Sequence, residues 1–119
     1  MRKIFLVEDD DSIREVLEIF LRSENYTVHS FANVSEFQKR KKDEIPDLYL
    51  FDVMLPDGSG IDLCKEIKNN NINEGIPVII MSAHAQLTQI KDACEPDDFI
   101  AKPFDIDQLL QQIQKIVNP

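Results

Sequence analysis

The 119-residue chain contains no apolar run that approaches the roughly 18–20 residues a membrane-spanning helix requires. Its first residues, MRKIFLVEDDD, pass from a short apolar run straight into acids, which does not fit a signal peptide. Basic residues are scarce, because 13 Lys and Arg stand against 22 Asp and Glu and the formal net charge is −9. So acidic a segment would repel a phosphate backbone, which excludes direct binding of nucleic acid by this segment alone.

Cysteine is also sparse, since Cys64 and Cys94 are far apart in sequence and form no Cys-x-x-Cys pair. We expect both to be small, buried or half-buried residues of a reduced, cytoplasmic protein; a regulatory disulfide is the alternative. No repeat, linker or low-complexity segment divides the chain, and 43% of its residues are hydrophobic. We therefore expect one domain over residues 1–119.

Short apolar runs alternate with longer amphipathic segments along the chain. The runs are nearly continuous, as expected for parallel strands covered on both faces, and they are Ile4–Val7, Tyr26–Phe31, Leu48–Phe51, Val78–Met81 and Phe99–Ala101. The segments between them predict five helices. The first has an apolar face of Ile13, Val16, Leu17, Phe20 and Leu21, and the last is marked by Ile106, Leu109, Leu110, Ile113, Ile116 and Val117. The three helices between them are predicted over Val34–Lys42, from about Ser59 to the Asn69–Asn71 run, and over Ala85–Ala93. This alternation predicts a doubly wound α/β sandwich.

The start of the first helix has several candidate capping residues. Asp10 and Asp11 follow the first strand and are typical helix caps. Ser12 is an alternative, because Glu15 stands three residues beyond it in the capping-box spacing.

Polar side chains follow four of the five predicted strands. Glu8 and Asp9 follow the first, Asp52 the third, Ser82 the fourth and Lys102 the fifth. The carboxyl ends of parallel strands share one edge, where doubly wound sheets bind ligands. Taken singly, the acids could cap a helix, Ser82 could be a turn serine and Lys102 a solvated lysine; together they favour a site.

Carboxylates gathered at one edge repel each other. Two unit charges about 4 Å apart cost roughly 4 kcal/mol at an effective dielectric near 20. A site that brings Glu8, Asp9 and Asp52 together therefore needs a cation, and oxygen ligands favour a hard ion such as Mg²⁺. With Lys102 and Ser82 opposite, the arrangement suits a phosphoryl group.

Four sequence blocks carry a resemblance to a known family: IFLVEDDDSIREVL, LYLFDVMLPDGSGIDLCKEIK, PVIIMSAHA and DDFIAKPF. In combination, from Met1 to about Asn118, they resemble the receiver domain of two-component response regulators, whose type member is the chemotaxis response regulator. The resemblance implies a flavodoxin-like (βα)5 fold with strand order 2-1-3-4-5.

The resemblance also implies roles for single residues. Asp52 matches the aspartate that accepts a phosphoryl group from a phosphohistidine, and Glu8, Asp9, Asp52 and the Met54 carbonyl match the Mg²⁺ ligands, for which Mn²⁺ could substitute. Lys102 matches the lysine that contacts the phosphoryl group, beside a usually cis Pro103. Ser82 and Phe99 match the switch pair, although Phe99 could be a core residue. Met54 and His84 match positions that tune the acyl-phosphate lifetime; His84 could equally be a solvated loop residue.

The chain departs from the family pattern in three places. Glu95-Pro96 stands where the family usually has Gly-Ala, so we expect an unusual turn into the fifth strand. Ser82 and Lys102 are about two residues closer in sequence than usual, so the fourth helix should be short or irregular. The hydroxyl residue is Ser82 rather than the commoner threonine.

The resemblance implies a signalling switch, not an enzyme beyond its own phosphoryl transfer and dephosphorylation. Its partners would be a sensor histidine kinase or phosphotransfer protein and a downstream effector, with a phosphorylation-dependent homodimer as one outcome; the face of the fourth helix and fifth strand is the expected contact surface. The chain could be a standalone receiver or a piece of a larger regulator. The alternative is a pseudo-receiver that binds partners without phosphorylation. An aspartate-based phosphatase is disfavoured, because Met54 stands where such enzymes need a second Asp.

Overall fold

The computed structural model describes residues 2–73, 75–83 and 94–117. In chain order the elements are β1 (Lys3–Val7), α1 (Asp11–Ser23), β2 (Thr27–Phe31), α2 (Val34–Gln38), β3 (Leu48–Asp52), β4 (Met54–Leu55), β5 (Gly58–Ser59), α3 (Gly60–Lys68), a 3-10 helix (Asn71–Asn73), β6 (Val78–Ala83), β7 (Asp98–Lys102) and α4 (Ile106–Val117). The predicted helix Ala85–Ala93 lies outside the described residues.

Five strands form one parallel sheet in the order β2–β1–β3–β6–β7. Counted among the sheet strands alone, this is the expected order 2-1-3-4-5, and every predicted strand is present. β4 and β5 form a separate antiparallel hairpin directly after β3; the Pro56-Asp57-Gly58 sequence indicates its turn, but the apolar runs do not indicate its two short strands. The doubly wound α/β fold is therefore confirmed.

Each face of the sheet carries its own hydrophobic core. The first core cluster joins the sheet to α1 and α4 through residues such as Leu17, Leu21, Leu109 and Ile113. The second core cluster joins the other face to α2 and α3, with Phe37, Leu63, Cys64 and Ile67 among its members. Alternate residues of each strand contribute to opposite clusters, because successive side chains of a strand point to opposite faces.

The α1 helix covers the sheet with a narrower stripe than its apolar pattern suggests. Leu17 and Leu21 are buried, but Val16 and Phe20 are each 42% exposed. The five residues lie on one face of α1, as their spacing predicts, but a helix lying on one sheet buries only the stripe that faces it, so these two remain at the exposed edge of that face. The capping residue is Asp10, whose Oδ1 accepts a hydrogen bond from the Ile13 N–H at 3.0 Å; Ser12 does not form the expected capping box.

The α2 helix ends at Gln38, four residues earlier than predicted. Lys39 donates its N–H to Glu36 O, in the tighter geometry that closes a last turn. The Arg40 guanidinium folds back over the Phe37 ring, 3.9 Å from its centroid.

The turn into β7 is unusual, as the Glu95-Pro96 pair predicted. Glu95 has a φ of 52°, in the left-handed region that favours glycine. Both cysteines are buried and free, as expected; the Cys64 Sγ donates to the Cys94 carbonyl oxygen at 3.5 Å. Within the described residues, no helix combines the length and apolar character that crossing a membrane would require.

Candidate functional site

Glu8, Asp52 and Lys102 meet at the carboxyl edge of the sheet. Each comes two residues after a strand residue of the first core cluster, so strand alternation carries all three to the same face. The Lys102 ammonium lies 2.9 Å from Glu8 Oε2 and 3.1 Å from Asp52 Oδ1. Both carboxylates are almost fully buried, and the lysine side chain is 22% exposed. One ammonium thus bridges two buried carboxylates.

A third carboxylate completes the acidic cluster. Glu8, Asp9 and Asp52 each offer an oxygen, and these oxygens all lie within 4.8 Å of one another. With Lys102 counted, three negative charges face one positive charge, which leaves two negative charges uncompensated. Burial, the neighbouring charge of Glu8 and the smaller influence of Asp9 raise the pKa of Asp52 to about 6, although Lys102 opposes this.

The pKa of Lys102 depends on a balance between burial and the neighbouring carboxylates. Burial alone would lower the pKa of Lys102, but the hydrogen bond to Glu8 and the charges of Asp52 and Glu8 outweigh it and raise the pKa. Lys102 is therefore a fixed cation at neutral pH. The peptide bond between Lys102 and Pro103 is cis, as the resemblance implied.

The loop after β1 is held by hydrogen bonds from the helix that follows it. Arg14 in α1 donates from Nη1 to the Glu8 carbonyl oxygen at 2.8 Å, and it also pairs with Asp11. Asp10 donates its N–H to Glu8 Oε1 at 3.2 Å while its own side chain caps α1. The two neighbouring acids therefore have different tasks: Asp10 is structural, and Glu8 lies in the site.

The backbone after Asp52 is fixed from two sides. Val53 donates its N–H to Met81 O in β6 at 3.1 Å, and Gly60 at the start of α3 donates its N–H to Val53 O at 3.1 Å. Gly60 packs so closely that an added β-carbon would overlap the Asp52 carbonyl oxygen and lie 2.9 Å from the carbonyl carbon. The side chain of Ser59 caps α3, accepting from the Ile61 N–H at 3.1 Å.

The other predicted site residues lie around this cluster. Ser82 is buried at the end of β6, one residue beyond the partner of Asp52 in the sheet register. Phe99 is half-buried in β7 and packs against the second core cluster. The Met54 side chain is exposed in β4, next to the site along the chain. His84 lies outside the described residues.

The donor set fits a hard divalent cation. All three side chains offer carboxylate oxygens, the ligands that Mg²⁺ prefers, and two uncompensated negative charges match one divalent ion. The sequence pattern did not single out Arg14 and Gly60, which hold the two loops of the site. Gly60 is a glycine at the first position of a helix, a placement that close backbone packing explains.

Comparisons with known proteins agree with this site. The family model of the response regulator receiver domain matches residues 4–114. The chain is 36% identical over 117 residues to the DNA-binding transcriptional regulator NtrC of Proteus hauseri. The aligned region covers 97% of this chain and 24% of that protein. It is 33% identical over 119 residues to the transcriptional regulatory protein GltR of Pseudomonas aeruginosa, covering 98% of this chain and 49% of that protein. The chain thus spans about a quarter to a half of these curated relatives.

Solved structures give the same result in three dimensions. The non-phosphorylated receiver domain of HemR from Leptospira biflexa superposes with a TM-score of 0.88 at 28% identity, covering 100% of this chain and 96% of that one. The receiver domain of a sensor histidine kinase from Pseudomonas aeruginosa, with a magnesium ion coordinated in its active site cleft, gives 0.85 at 27% identity over 99% and 98%.

Proposed function

The chain belongs to the response regulator receiver domain family, and from this premise we propose that it is a signalling switch in which Asp52 accepts a phosphoryl group from a phosphohistidine. As a receiver domain it takes part in two-component signal transduction and is not a classical enzyme. The observation that carries the proposal is the bridging of Glu8 and Asp52 by Lys102 within an acidic cluster at the carboxyl edge of the sheet.

The phosphoryl transfer uses Asp52 as the nucleophile. With a pKa of about 6, the Asp52 carboxyl is mostly ionised at neutral pH. Its oxygen attacks phosphorus, the new O–P bond forms, and the P–N bond of phosphohistidine breaks. The electron pair of that bond stays on the imidazole nitrogen, and the ring leaves as neutral imidazole when its other nitrogen carries a proton. Lys102, 3.1 Å from Asp52 Oδ1, is placed to stabilise the charge on the phosphoryl oxygens.

Glu8, Asp9, Asp52 and the Met54 carbonyl would hold the cation, which we propose is Mg²⁺, with Mn²⁺ as a substitute. When bound, the ion supplies positive charge that offsets repulsion between the carboxylates and an incoming phosphoryl group. The magnesium ion in the related kinase receiver domain supports this assignment. The uncompensated charge of the cluster supports it independently.

Ser82 and Phe99 form the proposed switch. Ser82 would donate a hydrogen bond from its hydroxyl to a phosphoryl oxygen. The resulting shift of β6 would change the packing of Phe99 in the neighbouring strand β7. Phe99 pairs in register with Ile80, two residues before Ser82, so a movement of β6 reaches it directly. Met54 and His84 remain the proposed tuners of the acyl-phosphate lifetime.

An apolar groove beside the site suits the phosphodonor protein. It has a volume of about 500 Å³ and is lined by α1 and by the segment that follows β7; its residues are Ser12, Ile13, Val16, Leu17, Lys102, Pro103, Phe104 and Ile106. Lys102 belongs to both the groove and the site, so a protein that brings phosphohistidine to Asp52 must cover this rim. We assign the groove to the histidine kinase or phosphotransfer protein.

The whole chain, residues 1–119, is proposed to be one receiver domain that acts on a downstream effector, with a homodimer of the phosphorylated form as one mode of action. A cytoplasmic location is part of the proposal, and the two free, buried cysteines are consistent with a reducing compartment.

The test is intact mass spectrometry after incubation with Mg²⁺ and a small-molecule phosphodonor, with Asp52→Asn alongside. We expect one added phosphoryl group on the parent and none on the variant. If the parent gains nothing although it binds Mg²⁺, a beryllofluoride complex distinguishes the remaining cases. Formation of the complex would indicate a short-lived acyl phosphate, whereas its failure would favour the pseudo-receiver.

A further inference from the structure

The turn between β4 and β5 is tied to a distant helix by one side chain. Asp57 Oδ1 accepts a hydrogen bond from the Val34 N–H at 2.8 Å, and Oδ2 accepts one from the Ser35 N–H at 2.9 Å. The residues lie 22 and 23 positions apart in sequence. Both carboxylate oxygens of Asp57 are therefore used to join the hairpin to the first turn of α2.

This contact is not the helix's own cap. Asn33 already serves as the N-cap of α2, with its side-chain oxygen accepting from the Glu36 N–H at 2.8 Å. Asp57 accepts hydrogen bonds from the N–H groups of Val34 and Ser35, which the Asn33 side chain does not bind. The same two hydrogen bonds lower the pKa of the Asp57 carboxyl, so it is an anion at neutral pH and its hydrogen bonds are charge-assisted.

Packing reinforces the tie. A β-carbon added to Gly58 would lie 2.8 Å from Val34 Cγ2, which means that the hairpin backbone rests directly on that side chain. Leu55 and Val34 also pack against the same second core cluster. The tip of the hairpin is thus held on α2 by two hydrogen bonds and by apolar contact.

The other end of the hairpin lies next to Asp52 along the chain. Met54 pairs with Ser59, and the strand β4 contains only Met54 and Leu55. Met54 stands two residues after Asp52, so displacement of the hairpin tip is transmitted over a very short segment.

We propose that Asp57 is a positioning residue that fixes the backbone of Met54 for the cation through its contact with α2. The inference rests on the proposed function, in which the Met54 carbonyl is a cation ligand.

The experiment compares Asp57→Ala with Asn33→Ala in the full chain. Both variants remove hydrogen bonds to the first turn of α2, but only Asp57→Ala releases the hairpin. Mg²⁺ affinity is measured by calorimetry, and the amide nitrogen shift of Leu55, whose peptide bond contains the Met54 carbonyl, is followed during the same Mg²⁺ titration. We expect Asp57→Ala to raise the Mg²⁺ Kd about three- to tenfold and Asn33→Ala to change it less than about twofold.

Further variants and outcomes separate the possibilities. Asp57→Asn keeps one acceptor oxygen and should give an intermediate Kd. An unchanged Mg²⁺ affinity in Asp57→Ala would overturn the positioning role. The same loss of Mg²⁺ affinity in Asn33→Ala as in Asp57→Ala would also overturn it, because Mg²⁺ binding would then depend on the start of α2 and not on the hairpin. A parent chain that does not bind Mg²⁺ at all would instead refute the proposed function, which this design detects separately.

Discussion

Gly60 rests against the backbone of Asp52 with no room for a side chain between them. An added β-carbon would overlap the Asp52 carbonyl oxygen, and it would also lie 3.2 Å from Phe51 Cβ. The obstruction is backbone, which cannot rotate away as the end of a flexible side chain can. The first residue of α3 therefore sets the position of the proposed phosphoacceptor.

Gly60→Ala should destabilise the fold and weaken Mg²⁺ binding together, because the clash is relieved only by moving Asp52 or α3. We expect a loss of about 1–3 kcal/mol in the free energy of unfolding, measured by urea titration. Gly75→Ala is the control, since its new β-carbon meets nothing within 4 Å and its φ of 82° should cost stability without changing Mg²⁺ affinity. Equal Mg²⁺ affinity in the Gly60→Ala variant and the parent would contradict the role assigned to this contact.

Lys102→Met should leave the buried carboxylates of Glu8 and Asp52 without their ammonium. Removing one partner of a buried ion pair costs about 3–5 kcal/mol, so we expect a loss of that order in metal-free buffer at neutral pH. Mg²⁺ should restore more stability to this variant than to the parent, because the ion replaces the missing positive charge.

The control for this variant is Lys65→Met, which removes an exposed lysine of α3. If the Lys102→Met variant is phosphorylated as fast as the parent, Lys102 has no part in the proposed phosphoryl transfer.

The raised pKa of Asp52 predicts how stability changes with pH in the absence of metal. The folded protein holds the Asp52 proton up to about pH 6, whereas the ordinary value is 3.8. Between these values the folded state binds more protons, so the free energy of unfolding falls as pH rises, by at most about 3 kcal/mol from this group. Asp52→Asn removes that loss, so it should be more stable than the parent at pH 8 and lose its advantage towards pH 4.

Urea unfolding in EDTA across this pH range provides the measurement. Asp43→Asn, which removes an exposed loop carboxylate, controls for the change in net charge. A parent that is more stable than Asp52→Asn at pH 8 would show that Lys102 outweighs burial and repulsion at this position.

The groove assignment predicts a selective defect. Val16→Glu places a charge on the exposed edge of the groove without touching Asp52, so phosphorylation by a cognate phosphohistidine protein should slow about tenfold or more. Phosphorylation by a small-molecule donor should be unchanged. Ile72→Glu alters another exposed apolar residue and should leave both rates intact. Slowing with both donors would place the effect in the site itself.

The core of the site could be predicted from sequence because it follows strand periodicity. Glu8, Asp52 and Lys102 each stand two residues beyond a buried strand residue, and the fold brings those strand ends to one edge. The contact between Asp57 and α2 could not be predicted, since it joins residues 22 and 23 positions apart and depends on where a five-residue helix begins. The exposure of Val16 and Phe20 could not be predicted for a similar reason. Helical periodicity identifies an apolar face, but only the packed structure determines how much of that face is covered.

Glu95 offers a test of the chain's departure from the family pattern. Its φ of 52° puts a β-carbon close to the following carbonyl oxygen, which costs an ordinary residue about 1–2 kcal/mol. Glu95→Gly removes that strain but adds freedom to the unfolded chain, so we expect a net gain of about 0.5–1 kcal/mol in the free energy of unfolding. Asn25→Gly, at a φ of 69°, should gain less, because asparagine tolerates this conformation. Destabilisation by Glu95→Gly would mean that the glutamate side chain contributes more to the turn into β7 than its backbone strain removes.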